Sequence, residues 1–204
     1  MAKAPSPTGT ADPQSALDGA PGLLIVTGPP CAGKTTLATR VARELRLPLL
    51  SKDGIKERLA DLLPSPVDRQ GSQRLGRAAM EMLYYVAERH LEAGQSLAIE
   101  GNFEPPWASA RFREMRVRVA YNPRQILCIA SPEVLGRRHQ QRVLLKGRHP
   151  VHVDVHTGES MDAERLLTKH GALEIDGDVL VVDTGEFNDG SYRELVKWLQ
   201  PQFG

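Results

Sequence analysis

Gly28-Pro29-Pro30-Cys31-Ala32-Gly33-Lys34-Thr35 fits the pattern G-x-x-x-x-G-K-[ST], and Thr36 follows it directly. These residue types serve one chemical task. The glycines let the backbone curl until several N–H groups converge on an anion, and a helix starting at the loop adds the positive end of its dipole. A lysine in that curl reaches the β- and γ-phosphates of a nucleoside triphosphate, and the threonine hydroxyl can ligate Mg²⁺. The segment therefore predicts nucleotide binding across Gly28 to Thr36, with Thr35 as a metal ligand.

Two acids and three arginines could complete such a site. Asp53 can orient an acceptor hydroxyl and take its proton, or it can simply cap a helix starting near Gly54; the residues alone leave both open. Glu100 can hold a metal-bound water or be satisfied by backbone donors. Arg138 and Arg142 are four residues apart and share a helix face, and with Arg148 they could neutralise phosphoryl oxygens. Arg111, Arg113, Arg116 and Arg118 form a basic run that reads first as a solvated face, with Arg111 or Arg113 the alternative contact to an anionic substrate. His149, His152 and His156 match no familiar metal spacing, which favours a substrate-gating loop over a metal site.

The elements that must position these groups alternate between strand and helix. Leu23 to Val26 is an apolar run of strand length, and Leu37, Val41 and Leu45 give the helix after the glycine loop its apolar stripe. Leu47 to Ser51 predicts a second strand, Lys52-Asp53-Gly54 a turn, and Ile55 to Leu63 a helix closed by Pro64. Ser65 to Gly71 reads as a loop. A long helix is predicted over Ser72 to Ala93 with Leu75, Ala79, Met82, Leu83, Val86 and Leu91 inward, and Met80, Met82, Tyr84 and Tyr85 as core. Gly94 is its C-cap. Further strands are predicted at Ser96 to Glu100, Gln125 to Ala130 and Asp178 to Asp183. Helices are predicted near Trp107 to Met115 behind Pro105-Pro106, after Ser131-Pro132-Glu133, over Asp162 to His170, and over Tyr192 to Leu199. That alternation predicts a parallel sheet covered on both faces, with ligands at the carboxyl ends of its strands.

The chain has 204 residues, 41% hydrophobic and 25% charged, which suits one α/β domain. A net charge of +1 gives no global field for gripping nucleic acid. The two cysteines, Cys31 and Cys128, lie in the glycine loop and a predicted buried strand, so neither a disulfide nor a reactive thiol is expected. No apolar run reaches the roughly 20 residues that span a bilayer, and no signal-peptide core is present. A cytoplasmic protein is expected. Residues 1–20 read as a flexible leader before a domain over 21–204.

Leu50 to Leu59 (LSKDGIKERL), set shortly after GPPCAGKTT, resembles P-loop phosphotransferases of the chloramphenicol phosphotransferase, zeta-toxin and polynucleotide-kinase type, within the P-loop kinase and AAA-type ATPase-domain group. The resemblance implies a three-layer P-loop NTPase fold: a mostly parallel five-stranded sheet, helices on both faces, and a small helical lid over about 136–160. It implies that Asp53 is the base for an acceptor hydroxyl and that Glu100 stands at the Walker B position. Arg138, Arg142 and Arg148 become lid arginines, Asn102, Phe103 and Trp107 an acceptor-side wall, and Asp183-Thr184-Gly185 a backbone-lined adenine pocket. No Asn-Lys-x-Asp guanine signature occurs, which favours ATP. The expected activity is transfer of the ATP γ-phosphoryl group to a hydroxyl of a small molecule, with Mg²⁺. A polynucleotide 5′-hydroxyl kinase and an ATP-binding regulatory switch are the alternatives.

Overall fold

The structure is a computed structural model and describes residues 19–63, 68–144, 149–153 and 169–204. Five strands, β1 (Gly22–Thr27), β2 (Leu49–Ser51), β3 (Leu97–Glu100), β4 (Asn122–Ile129) and β5 (Asp178–Asp183), form one sheet in the order β2-β3-β1-β4-β5. Every pairing is parallel. The described helices are α1 (Lys34–Glu44), α2 (Lys52–Leu62), α3 (Arg69–Glu92), α4 (Pro105–Arg118), α5 (Pro132–Leu144) and α6 (Asp189–Phe203).

All six residues of β1 are buried because the strand is covered on both sides. Leu24 and Val26 join a core with Leu37, Ala38 and Val41 of α1 and Leu195 and Leu199 of α6. Leu23 and Ile25 alternate to the other face, against Leu83 and Ala87 of α3 and Phe112 and Met115 of α4. The result is the expected three-layer parallel α/β fold. The strand order reverses at β1, flanked by β3 and β4, so the loop leaving β1 opens into the crevice where such sheets bind ligands.

The ends of several elements differ from the sequence-based boundaries. β2 covers only Leu49–Ser51. α2 starts at Lys52 and not after a turn, because the Ser51 hydroxyl accepts the Gly54 N–H at 3.3 Å. Ser51, not Asp53, is therefore the N-cap. α3 begins at Arg69, inside the expected loop, because the Asp68 carboxylate accepts the Gly71 N–H at 2.7 Å. Met82 and Tyr85 are exposed; the buried stripe of α3 is Ala79, Leu83, Tyr84, Ala87 and Leu91. Ser131 caps α5 through the Val134 N–H, and Gly94 closes α3 at φ 72°, both as expected. Most of the predicted leader, Arg148, His156 and most of the predicted 162–170 helix lie outside the described residues.

Among the described residues no helix is long and apolar enough to cross a membrane. Buried at 6% exposure, His170 has no hydrogen-bond partner on Nδ1 among the described residues. Burial, helped by the charges of Lys34 and Lys169, pushes its pKa from 6.5 down to about 4. In the unfolded chain the imidazole protonates near its ordinary value, so between these two pKa values the unfolded state binds more protons. Stability is therefore lost as the pH falls through that window, by about 3 kcal/mol at full depth. Urea midpoints at pH 7 and pH 4 should show this loss, and His170→Phe should flatten the slope by a comparable amount.

Candidate active site

The carboxyl ends of β1, β2, β3 and β5 bring the predicted groups to one edge. Gly28 leaves β1 at φ 136°, where a Cβ would lie 2.1 Å from the Cys128 carbonyl oxygen of β4. Only glycine fits this close approach of two backbones. Gly28→Ala is expected to destabilise the fold by at least ~2 kcal/mol through backbone strain and displacement, read as a drop in the thermal midpoint. Gly33 is the N-cap of α1 at φ 74° and completes the curl. Ala32 turns its methyl into the core, leaving its backbone to the loop.

Lys34 bends back across the loop, and its Nζ donates to the Pro29 carbonyl at 2.8 Å. The side chain is 6% exposed, and that burial lowers its pKa from the ordinary lysine value; the carboxylates of Glu100 and Asp53 work against the shift. Thr35 and Thr36 begin α1 on the exposed side.

Glu100 ends β3, and the β-ladders hold it opposite Val26 of β1 and Ser51 of β2. It is almost fully buried, and burial raises its pKa. Hydrogen bonds from the Ser51 and Thr35 hydroxyls and the charge of Lys34 oppose that rise. Asp53 stands in the first turn of α2, half-exposed, with its Oδ1 3.0 Å from Lys52 Nζ. It is also close enough for its charge to act on both Lys34 and Glu100. A threonine hydroxyl beside a buried carboxylate is a hard-oxygen pair, which fits Mg²⁺ with its remaining positions on water and phosphate. Among the described residues no cluster of three His, Cys, Asp or Glu could hold a metal.

Arg138 makes three contacts around the loop. It donates to Thr184 Oγ1 at 2.9 Å, to the Thr184 carbonyl at 2.8 Å and to the Cys31 carbonyl at 3.4 Å. It thereby ties α5 to the glycine loop and to the end of β5. Arg138, Arg142, Thr184, Thr36, Arg40 and Phe187 line a cavity of about 400 Å³ beside Gly33. Neither Phe187 nor Ser51 as a partner of Glu100 is signalled by any motif or spacing in the sequence.

Several expected neighbours of the site are engaged elsewhere. Phe103 is fully buried and packs edge-on to Phe112 at 5.5 Å, so it belongs to the core and not to an acceptor wall. Trp107 is 79% exposed. Arg111 pairs with Glu81, Arg116 with Asp176 and Arg118 with Glu88, while Arg113 donates to the Glu174 carbonyl. His149 and His152 do not converge. They meet Asp61 at 3.0 Å and Glu57 at 2.8 Å, one turn apart on α2.

A family model described as an AAA domain matches residues 23–168, from the first strand through the segment after α5. The chain belongs to this AAA domain family. No curated protein matches the chain. Among solved structures, a candidate kinase of Chloroflexus aurantiacus J-10-fl is 36% identical, with a TM-score of 0.78 over 91% of this chain and 100% of that one. Chaetomium thermophilum Kti12, solved in complex with ADP-AlF3, is 16% identical with a TM-score of 0.62, over 89% of this chain and 99% of that one. Mycobacterium tuberculosis APS kinase, in complex with AMPPNP and APS, is 19% identical with a TM-score of 0.53, over 88% and 98%. At these identities the last two establish the fold alone. This AAA domain chain has the P-loop kinase-like fold.

Proposed function

We propose that the chain is a phosphotransferase that moves the γ-phosphoryl group of ATP to a hydroxyl of a small molecule. The observation that carries this reading is the pair of acids at one edge of the sheet: Glu100 beside Thr35 and Lys34, and Asp53 half-exposed in the first turn of α2. A half-exposed carboxylate beside the phosphate loop can take the proton of an acceptor hydroxyl. The triphosphate lies along Gly28 to Thr36, with its base in the cavity lined by Thr184, Phe187 and Arg142. Mg²⁺, held through Thr35 and Glu100, would neutralise charge on the β- and γ-phosphates. Asp53 takes the proton of the acceptor hydroxyl, the acceptor oxygen bonds to Pγ, and the bond from Pγ to the bridging oxygen of ADP breaks. Lys34 follows the moving phosphoryl charge. Residues 136–160 act as the lid of the 21–204 domain, with Arg138, Arg142 and Arg148 closing on the nucleotide and excluding water.

A polynucleotide acceptor is disfavoured by the arginine run, because Arg111, Arg113, Arg116 and Arg118 are each spent on a local partner. The decisive experiment supplies ATP with a panel of hydroxylated metabolites, nucleosides and antibiotics and detects products by mass. One acceptor gaining a phosphoryl group supports the reading. Slow hydrolysis of ATP with no acceptor modified would replace it with a nucleotide-driven switch.

A further inference from the structure

Ser51 is the last residue of β2 and the N-cap of α2, and its single hydroxyl serves both sides. The oxygen accepts the Gly54 N–H at 3.3 Å, and the proton is donated to Glu100 Oε2 at 2.8 Å. The pairing is also built into the sheet, because Ser51 lies opposite Glu100 in the β2–β3 ladder. A carboxylate on a strand end can rotate, and this bond, reaching it from the β2 side, restricts that rotation. The start of α2 does not depend on this hydroxyl alone for packing. A Cβ on Gly101 would sit 3.3 Å from Lys52 Cβ, so the first turn of α2 already rests on the end of β3.

We propose that Ser51 is a positioning residue whose hydroxyl orients the Glu100 carboxylate for the metal–nucleotide complex while fixing the first turn of the helix that carries Asp53. One oxygen then links the donor half of the site to the acceptor half. This assignment rests on the reading of Glu100 given under the proposed function.

The test titrates a fluorescent ATP analogue into the full chain, in EDTA and in Mg²⁺, for wild type, Ser51→Ala, Ser51→Thr, Glu100→Gln and the Ser51→Ala/Glu100→Gln double variant. The expected result is that Ser51→Ala keeps its affinity in EDTA within about twofold but loses about fivefold or more of the gain from Mg²⁺, since the charged acceptor is no longer held. Ser51→Thr should retain the gain, and Ser51→Ala should add nothing in the Glu100→Gln background. Ser51→Gly, which helix N-caps tolerate, carries the same expectation if the alanine variant does not fold. Equal weakening in EDTA and Mg²⁺, or an additive loss in the double variant, would reduce Ser51 to a helix cap. An unaltered Mg²⁺ gain in Ser51→Ala overturns the assignment alone. A wild-type protein that binds equally in EDTA and Mg²⁺ overturns the reading of Glu100, and this one with it.

Discussion

Asp53→Asn is expected to leave ATP affinity within about threefold of wild type while phosphoryl transfer falls by about 10²–10⁴-fold, the range that a positioned general base contributes. The substitution keeps the shape of the side chain and removes only its charge and basicity. Asp53 does not cap α2, a task that belongs to Ser51, so helix stability should change little. The ion pair with Lys52 is lost, but both partners are partly exposed and such pairs contribute little. Steady-state kinetics with the identified acceptor, together with nucleotide titration and a thermal midpoint, separate the outcomes. Turnover within threefold of wild type would remove Asp53 from the base role. A fall in the midpoint comparable to the fall in rate would make it structural.

That the two roles of Asp53 could be parted only in three dimensions shows where the sequence stops being informative. The glycine loop was legible because its demands are local: Gly28, Gly33, Lys34 and Thr35 act within eight residues, and the flanking apolar run and helix stripe are short-range patterns. β1 was legible because a strand buried on both faces is apolar at every position. The cap of α2 was missed although Ser51 precedes the helix, because Asp53 is an equally good capping type and only the geometry chooses between them. Tyr84 and Tyr85, adjacent and chemically equal, take opposite fates on α3, since a half-residue ambiguity in helix phase decides which one faces the sheet. The resemblance implies an acceptor-side wall at Phe103, whereas its ring packs against Tyr84 and Phe112. Arg138 binds partners 46 and 107 positions away, and the two histidines meet α2 across 88 and 95 positions. No periodicity reports contacts at those separations.

Lys34→Met is expected to reduce turnover by about 10²–10³-fold, the loss seen when one preorganised donor to developing charge is removed. Methionine has nearly the length and volume of the lysine stem, so the loop keeps its packing and loses only the ammonium group. Burial already works against that charge, as its lowered pKa shows, so the fold gains little from holding it there. The ammonium rests on the Pro29 carbonyl at 2.8 Å, a contact that a bound phosphate can replace without moving the backbone. Nucleotide affinity should therefore fall as well, by roughly tenfold, since ground-state phosphates feel the same charge. The larger loss in turnover than in affinity is the informative part, because an interaction made equally in both states would affect affinity alone. Lys34→Arg should fare no better than methionine: a planar guanidinium cannot present one compact charge from this buried position. Stopped-flow binding and single-turnover transfer would measure the two losses separately. Equal losses would mean that Lys34 only binds the triphosphate and that the phosphoryl charge is met elsewhere, with Arg40, Arg138 and Arg142 the cations lining the cavity beside Gly33.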